Sequence, residues 1–391
     1  MTPNMTTAPH ILLLIESSSA YGRGCLCGFA RYARTRTNWI LHHQSGANTS
    51  TDELELLHRI RADGIIARIE TPEVARAIAA KRVPTVAIAS STATHHFPSI
   101  GTDDRQVVKL GVDHLLANGF VHLAYCGLPG RAFSDARQFA FVQAPAPPHI
   151  SKHIFKDTAG GASAATDLPA LSQWLSSLPK PVGVLACHDT RARQILQASA
   201  LAGFPVPGTV AVVGVDNDEV ICELANPPLT SIVPNVEAIG VRAATLLHEL
   251  IGAPSATPGK SGRTTPILIP PLGVEVRTSS DIVGLSDPVL SGAVRFVRGN
   301  AGRGTTVKEI LAHLRVSRST LERRFLAQLG CTPHDYIAGQ QIERLKRLLI
   351  ETTYPINELA RMSGFRSPAH MIAMFKSATG ATPGQFRRNV V

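Results

Sequence analysis

Residues 317–333 and 367–383 form a degenerate internal repeat. Five identities recur at one constant offset: Ser317/Ser367, Phe325/Phe375, Gly330/Gly380, Thr332/Thr382 and Pro333/Pro383. Each copy reads as a short helix, a turn, and a Ser-capped helix ending near a Gly-x-Thr-Pro. The spacing predicts two helix-turn-helix units in tandem, an arrangement suited to duplex DNA.

The charge is distributed to match. From Ser286 onward there are 16 Lys/Arg and 7 Asp/Glu, whereas the preceding 285 residues hold 23 and 22. A basic domain beside a near-neutral one fits phosphate contacts confined to the former. A solvated basic surface would account for the charge but not for the repeat.

At 391 residues the chain predicts two or three domains. Its six Cys are scattered, and only Cys25-x-Cys27 is a close pair, so no zinc spacing is completed. His42-His43 and His95-His96 likewise lack partners at metal-ligand spacing. Reduced thiols of a cytoplasmic protein, with no metal and no cofactor, are expected. The longest early apolar run, residues 11–15, is too short for a membrane span. Residues 1–10 lack the charged start and apolar core of a signal peptide.

Residues 10–277 alternate short apolar runs (11–15, 64–69, 85–89, 122–126, 183–186, 210–215) with amphipathic stretches (71–80, 105–116, 168–178, 190–201, 236–250). Continuous apolar runs suit strands buried on both faces of a parallel sheet. There are too many units for one small sheet. The expected fold class is therefore an α/β sensor of two lobes with doubly wound parallel sheets, the second lobe starting near Gly119, followed by an all-α domain. Residues 251–265 read as a surface loop, and 265–277 as extended chain with a Pro-Pro break. The domain limits expected are 10–277 for the sensor, 278–287 for the link and 288–391 for the DNA-binding domain.

In the first helix-turn-helix unit, residues 307–314 support and 317–328 recognise, with Ser317 as cap. Leu321 and Phe325, four apart, face the core. Arg318, Ser319, Glu322 and Arg323 are left facing the groove, where Arg can bond a guanine edge twice and Glu can accept from cytosine. Arg324 and Arg315 read as phosphate contacts. In the second unit, residues 356–362 support and 367–378 recognise, with Ser367 as the matching cap at the DNA surface. Pro368, Ala369, Ile372 and Ala373 form an apolar outward face suited to thymine methyl groups, and Arg366, His370 and Lys376 read as backbone contacts. The first unit thus carries most of the sequence information and the second mostly anchors. The helix 333–351 sets their spacing.

These residues resemble the AraC-type regulator domain over roughly 288–388. Ile356-Asn-Glu-Leu-Ala with Gly364-Phe365, Phe375-Lys376 and Gly380-Ala-Thr-Pro383 is close to that family's signature. The resemblance implies two recognition helices in successive major-groove segments on one face of DNA. Ile372 and Ala373 depart from members with polar base-reading residues there.

In the sensor, Ala186-Cys-His-Asp189 and Val213-Gly-Val-Asp216-Asn217-Asp218 each end a strand and start a helix. Glu16 follows the first strand in the same way, with Tyr21 and Arg23 just beyond, and Asp103 and Arg137 lie at comparable helix starts. Open α/β sheets bind ligands at those strand ends. Carboxylates and Arg with a few aromatic faces suit a polyol, whose hydroxyls need acceptors and donors. Asp at such a junction also serves as a plain helix cap, and Asp103 fits either role.

Gly101-Thr-Asp103, Asn118-Gly119-Phe120 and the two segments above resemble the LacI/GalR-type, periplasmic-binding-protein-like sensor over about 10–277. Joined in this order to an AraC-type domain, they resemble the family of xylose operon regulators. Ala20-Tyr-Gly-Arg23, Gly127-Leu-Pro129 and Ser286-Asp-Pro288 agree. The resemblance implies D-xylose or a related pentose in the cleft between lobes, with Glu16, Arg23, Arg137, Asp189 and Asp216 as ligand residues. It implies activation, a homodimer, and RNA polymerase as a further partner. After Phe139 the chain runs Ala-Phe-Val-Gln-Ala-Pro-Ala-Pro-Pro, where relatives continue a longer helix and loop.

A sugar-converting enzyme would need a general acid or base beside a cofactor site, and no such constellation is present. A transport-type binding protein does not account for the basic C-terminal domain. A ligand-responsive regulator accounts for both domains. Its expected mechanism is a population shift in which sugar closes the lobes and favours the DNA-competent arrangement by differential affinity.

Overall fold

The computed structural model describes residues 8–46, 49–89, 97–156, 168–252, 265–281, 287–352 and 354–390. His95-His96, most of the expected loop 251–265 and residues 282–286 of the link lie outside the described residues. The chain divides into two units, 1–107 with 128–140 and 234–271, and 108–127 with 141–233 and 272–391.

In the first unit, β1 (His10–Leu14) lies between β2 (Ile40–His43) and β3 (Gly64–Ala67), and β4 (Thr85–Ile88), β5 (Ser99–Thr102) and β11 (Ile267–Ile269) continue the sheet. All of its pairings are parallel. Ile11, Leu13 and Ile15 pack towards α1 (Ala20–Arg36) and α9 (Val236–Gly252), while Leu12 and Leu14 pack towards α2 (Ser50–Arg59) and α3 (Pro72–Lys81). Both sheet faces are covered, which is why the strand reads as an unbroken apolar run rather than an alternating one. The two helices α1 and α9 approach so closely that a β-carbon at Gly240 would lie 2.0 Å from the Cys25 carbonyl oxygen.

The second unit repeats the plan. β6 (His122–Cys126) lies between β7 (Ser151–Ile154) and β8 (Val182–Ala186), followed by β9 (Val210–Val215), β10 (Thr230–Val233) and β12 (Gly273–Glu275). Here β12 runs antiparallel to β10. The extended stretch expected over 265–277 is thus two strands, and the Pro270-Pro271 break sends them to different sheets. The second unit begins inside α4 (Asp104–Ala117), at Val108, ahead of the Gly119 expected from sequence. The helix around Phe139, α5 (Ala132–Gln143), runs on to Gln143 and ends two residues before Pro145, since a proline disfavours helical backbone at the residue before it.

From Pro288 the described residues contain helices and turns only: α10 (Pro288–Asn300), α11 (Val307–Leu314), α12 (Arg318–Leu329), α13 (Pro333–Glu351), α14 (Ile356–Met362), α15 (Pro368–Thr379) and α16 (Pro383–Val390). The five recurring residues have local explanations. Ser317 and Ser367 cap α12 and α15, accepting from the Thr320 and His370 amides. Phe325 and Phe375 are fully buried. Gly330 and Gly380 end the same helices at φ 67° and 77°, a backbone that glycine adopts without strain. Thr332 caps α13, Thr382 accepts from the Gln385 amide at 3.3 Å, and Pro333 and Pro383 open the next helices. Each unit has its own core, Leu290, Val294, Ile310, Leu321 and Phe325 in one, Leu345, Leu349, Leu359, Met371 and Phe375 in the other.

Candidate functional site

The strand order turns back at β1 in the first sheet and at β6 in the second. At such a switch point the loops leaving adjacent strands diverge, which opens a crevice at the carboxyl ends. In the first unit Glu16 leaves β1 and Arg68 leaves β3, so the two flank the switch point. Arg68 Nη1 meets Glu16 Oε1 at 2.5 Å and its Nε meets Glu70 Oε1 at 3.1 Å. Arg131 Nη1 donates to the other Glu70 oxygen at 2.7 Å, and Ser19 Oγ donates to Glu16 at 2.9 Å. The Arg68 guanidinium lies 5.9 Å from the centre of the Tyr21 ring, a cation–π distance. The Tyr21 and Thr102 hydroxyls are 3.3 Å apart. Glu53 of α2 faces this group, and its carboxyl is pushed up to about 7 by burial, then by repulsion from Glu70, Glu16 and Asp52.

Other residues expected at this edge are placed differently. Arg23 Nη1 donates to the Ser17 and Ser18 carbonyls at 3.2 and 2.9 Å, so it braces its own loop. Asp103 Oδ1 accepts from the Arg105 and Gln106 amides at 3.0 and 3.1 Å, the geometry of a cap on α4. Arg137 is 4 % exposed. Its Nε donates to Asp104 Oδ1 at 2.7 Å and its guanidinium lies 5.4 Å from the centre of the Phe133 ring. Burial raises the pKa of Asp104 despite the Arg137 partner.

In the second unit Asp189 follows β8 and Asp216 follows β9. Asp189 is 1 % exposed. Its Oδ1 accepts from Ser231 Oγ at 2.6 Å, and its Oδ2 from the Asp218 amide at 2.8 Å and the Cys222 thiol at 3.6 Å. A β-carbon at Gly214 would lie 2.2 Å from Oδ1, so only glycine admits the carboxylate there. Asp189 thus interlocks β9, β10 and the turn into α8 (Glu219–Leu224), with both oxygens engaged inside the unit. Burial, then the Asp216 carboxylate, push its pKa up to about 8. Asp216 itself is half-buried at φ 108°, and Asn217 follows at φ 49°. Two successive non-glycine residues in left-handed backbone store strain, a feature that clusters at ligand clamps. Arg277 Nη1 holds this turn through Asn217 Oδ1 at 2.9 Å.

On the DNA-binding domain, Arg318, Ser319, Glu322 and Arg323 all lie exposed on α12, and Arg318 Nε bonds Glu322 Oε1 at 2.7 Å. Arg324 is turned aside from that face and pairs with Asp287. In the second unit Arg366, Ser367, His370 and Lys376 are exposed, and the His370 ring stands edge-on to Phe365. Ile372 is 36 % exposed on the same face. Leu326, 63 % exposed, extends the outward face of α12 by a turn. Among the described residues no group of three His, Cys, Asp or Glu is placed to hold a metal, and no helix is long and apolar enough to cross a membrane.

Three family models match in succession: an XylR N-terminal domain over 10–105, a periplasmic binding protein-like domain over 112–280, and a helix-turn-helix domain over 310–389. The xylose operon regulatory protein of Haemophilus influenzae is 32 % identical over 388 residues, covering 97 % of this chain and 98 % of its own length. That of Escherichia coli K12 is 30 % identical over 397 residues, covering 98 % of each. The chain belongs to the xylose operon regulatory protein family. A solved structure of the xylose-binding transcription activator xylR covers 98 % of this chain and 99 % of its own, with a TM-score of 0.59 and 29 % identity.

The regulator therefore joins a periplasmic-binding-protein-like sensor to an AraC-type DNA-binding domain. Sequence reasoning did not single out Arg68, Glu70, Glu53, Arg131, Asp104, Asp287 or Leu326 as site residues. A signal existed for Arg68 and Glu70: they follow a strand carboxyl end as Glu16 does. None existed for the surroundings of Glu53, or for the pairings of Asp104 with Arg137 and of Asp287 with Arg324, which join residues remote in sequence.

Proposed function

We propose that the regulator binds a pentose, D-xylose first among them, through residues 10–277, and activates transcription through residues 288–391, with 278–287 as the link. The observation that carries this reading is the carboxylate–guanidinium edge at the β1/β3 switch point, Glu16 with Arg68 beside the Tyr21 ring. It offers acceptors, donors and an aromatic face together, the set that a polyol requires. The names of the full-length relatives support xylose, and the xylR structure supports activation.

In the first unit this edge favours Glu16 and Tyr21 as ligand residues, and in the second unit the left-handed turn favours Asp216. Asp189 acts from beneath by holding the turn that carries Asp216. Arg23, Asp103 and Arg137 shape the edge. Arg318, Ser319, Glu322 and Arg323 read bases, and Arg366, Ser367, His370 and Lys376 anchor on the backbone. The regulator acts in the cytoplasm as a homodimer, since two-fold symmetry matches paired half-sites, and RNA polymerase is its further partner. Effector binding shifts a population: to invert a 1:99 equilibrium it must prefer the DNA-competent state about 10⁴-fold.

Calorimetric titration with D-xylose, L-arabinose, D-ribose and D-glucose tests this. Saturable binding of one pentose, abolished in Asp216→Ala, is expected. No heat with any of the four would remove the sugar assignment and leave the DNA-binding domain untouched.

A further inference from the structure

The link enters the DNA-binding domain at Asp287, whose carboxylate serves two elements. Oδ1 accepts from the Val289 and Leu290 amides at 2.9 and 3.3 Å, capping α10. The same oxygen pairs with Nη1 of Arg324, on the first recognition helix. The pair is sheltered: the side chains are 13 % and 33 % exposed. A guanidinium paired with a carboxylate has its charge offset, so it contributes less to neutralising a DNA phosphate than a free one does. The arrangement is confined to the first unit, because the repeat offset puts Met374 at the matching position of α15.

We propose that Asp287 limits the DNA affinity of the first helix-turn-helix unit by withholding Arg324 from the phosphate backbone. The proposal rests on the reading of this domain as a duplex-binding module. Asp287 is a positioning residue that acts through Arg324. It lies at the start of α10 and joins that helix to α12 through Arg324.

Asp287→Asn isolates the charge, since Asn caps a helix as well as Asp does. The full chain is titrated with a mixed-sequence duplex of about three helical turns across a salt series. Relative to wild type, Asp287→Asn should steepen the slope of log K against log salt by about 0.9 and tighten binding about fivefold at roughly 0.15 M salt. In an Arg324→Ala background the same substitution should change neither quantity. Weaker binding, an unchanged slope, or a gain that persists without Arg324 would each overturn the proposal, the last by showing a general charge effect. A wild-type affinity that ignores salt would instead overturn the duplex-binding reading, and this proposal with it.

Discussion

At Asp189 two influences of opposite sign meet. Burial and the neighbouring Asp216 carboxylate raise its pKa to about 8, against the lowering effect of donors from Ser231, Asp218 and Cys222. In the unfolded chain an Asp titrates at about 3.9. Between about pH 4 and 8 the folded state therefore holds more protons than the unfolded one, and stability falls as pH rises through that window. Asp189→Asn cannot ionise. The difference in thermal midpoint between variant and wild type should change across the window and stay constant above it. Curves that run parallel from pH 4 to 8 would mean that Asp189 is ionised in the fold. Nothing in Ala-Cys-His-Asp distinguishes such a buried interlock from a ligand carboxylate. The distinction comes from Gly214, Asp218 and Ser231, which reach Asp189 only through the sheet.

Helix boundaries in the DNA-binding domain follow from contacts within four residues. Ser317 and Ser367 each satisfy one orphan amide, and replacing either with Ala should cost about 1 kcal/mol, read as a lower urea midpoint with an unchanged m-value. A loss near zero would show that Ser319 or water substitutes for the cap. Those boundaries were legible because caps, left-handed glycines and amphipathic spacing all agree there. The sensor was less so. β2 (ILHH), β5 (SIGT) and β7 (SKHI) carry too little apolar sequence to mark themselves as strands. They are strands because β1, β4 and β6 offer them hydrogen-bonding edges. The split of residues 265–277 between two sheets was likewise unreadable, although its Pro-Pro break was visible.

For the whole molecule the lopsided charge has a direct consequence. With 16 Lys/Arg against 7 Asp/Glu after residue 285, binding to duplex DNA should weaken steeply as salt rises, by about 10³-fold or more between roughly 50 and 200 mM if six phosphates are neutralised. A flat response would leave the basic domain without its expected surface. The sequence by itself determined the order of domains, the tandem helix-turn-helix units and the α/β class, because repeats, caps and apolar periodicity are local and the chain carries them at every length scale. Only the tertiary structure decided which charged groups remain available. Glu16 meets Arg68, Asp104 meets Arg137 and Asp287 meets Arg324 across 52, 33 and 37 residues. Whether a carboxylate faces solvent, a partner or a helix amide depends on what the fold brings beside it. That is a property of packing, and residue type alone does not encode it.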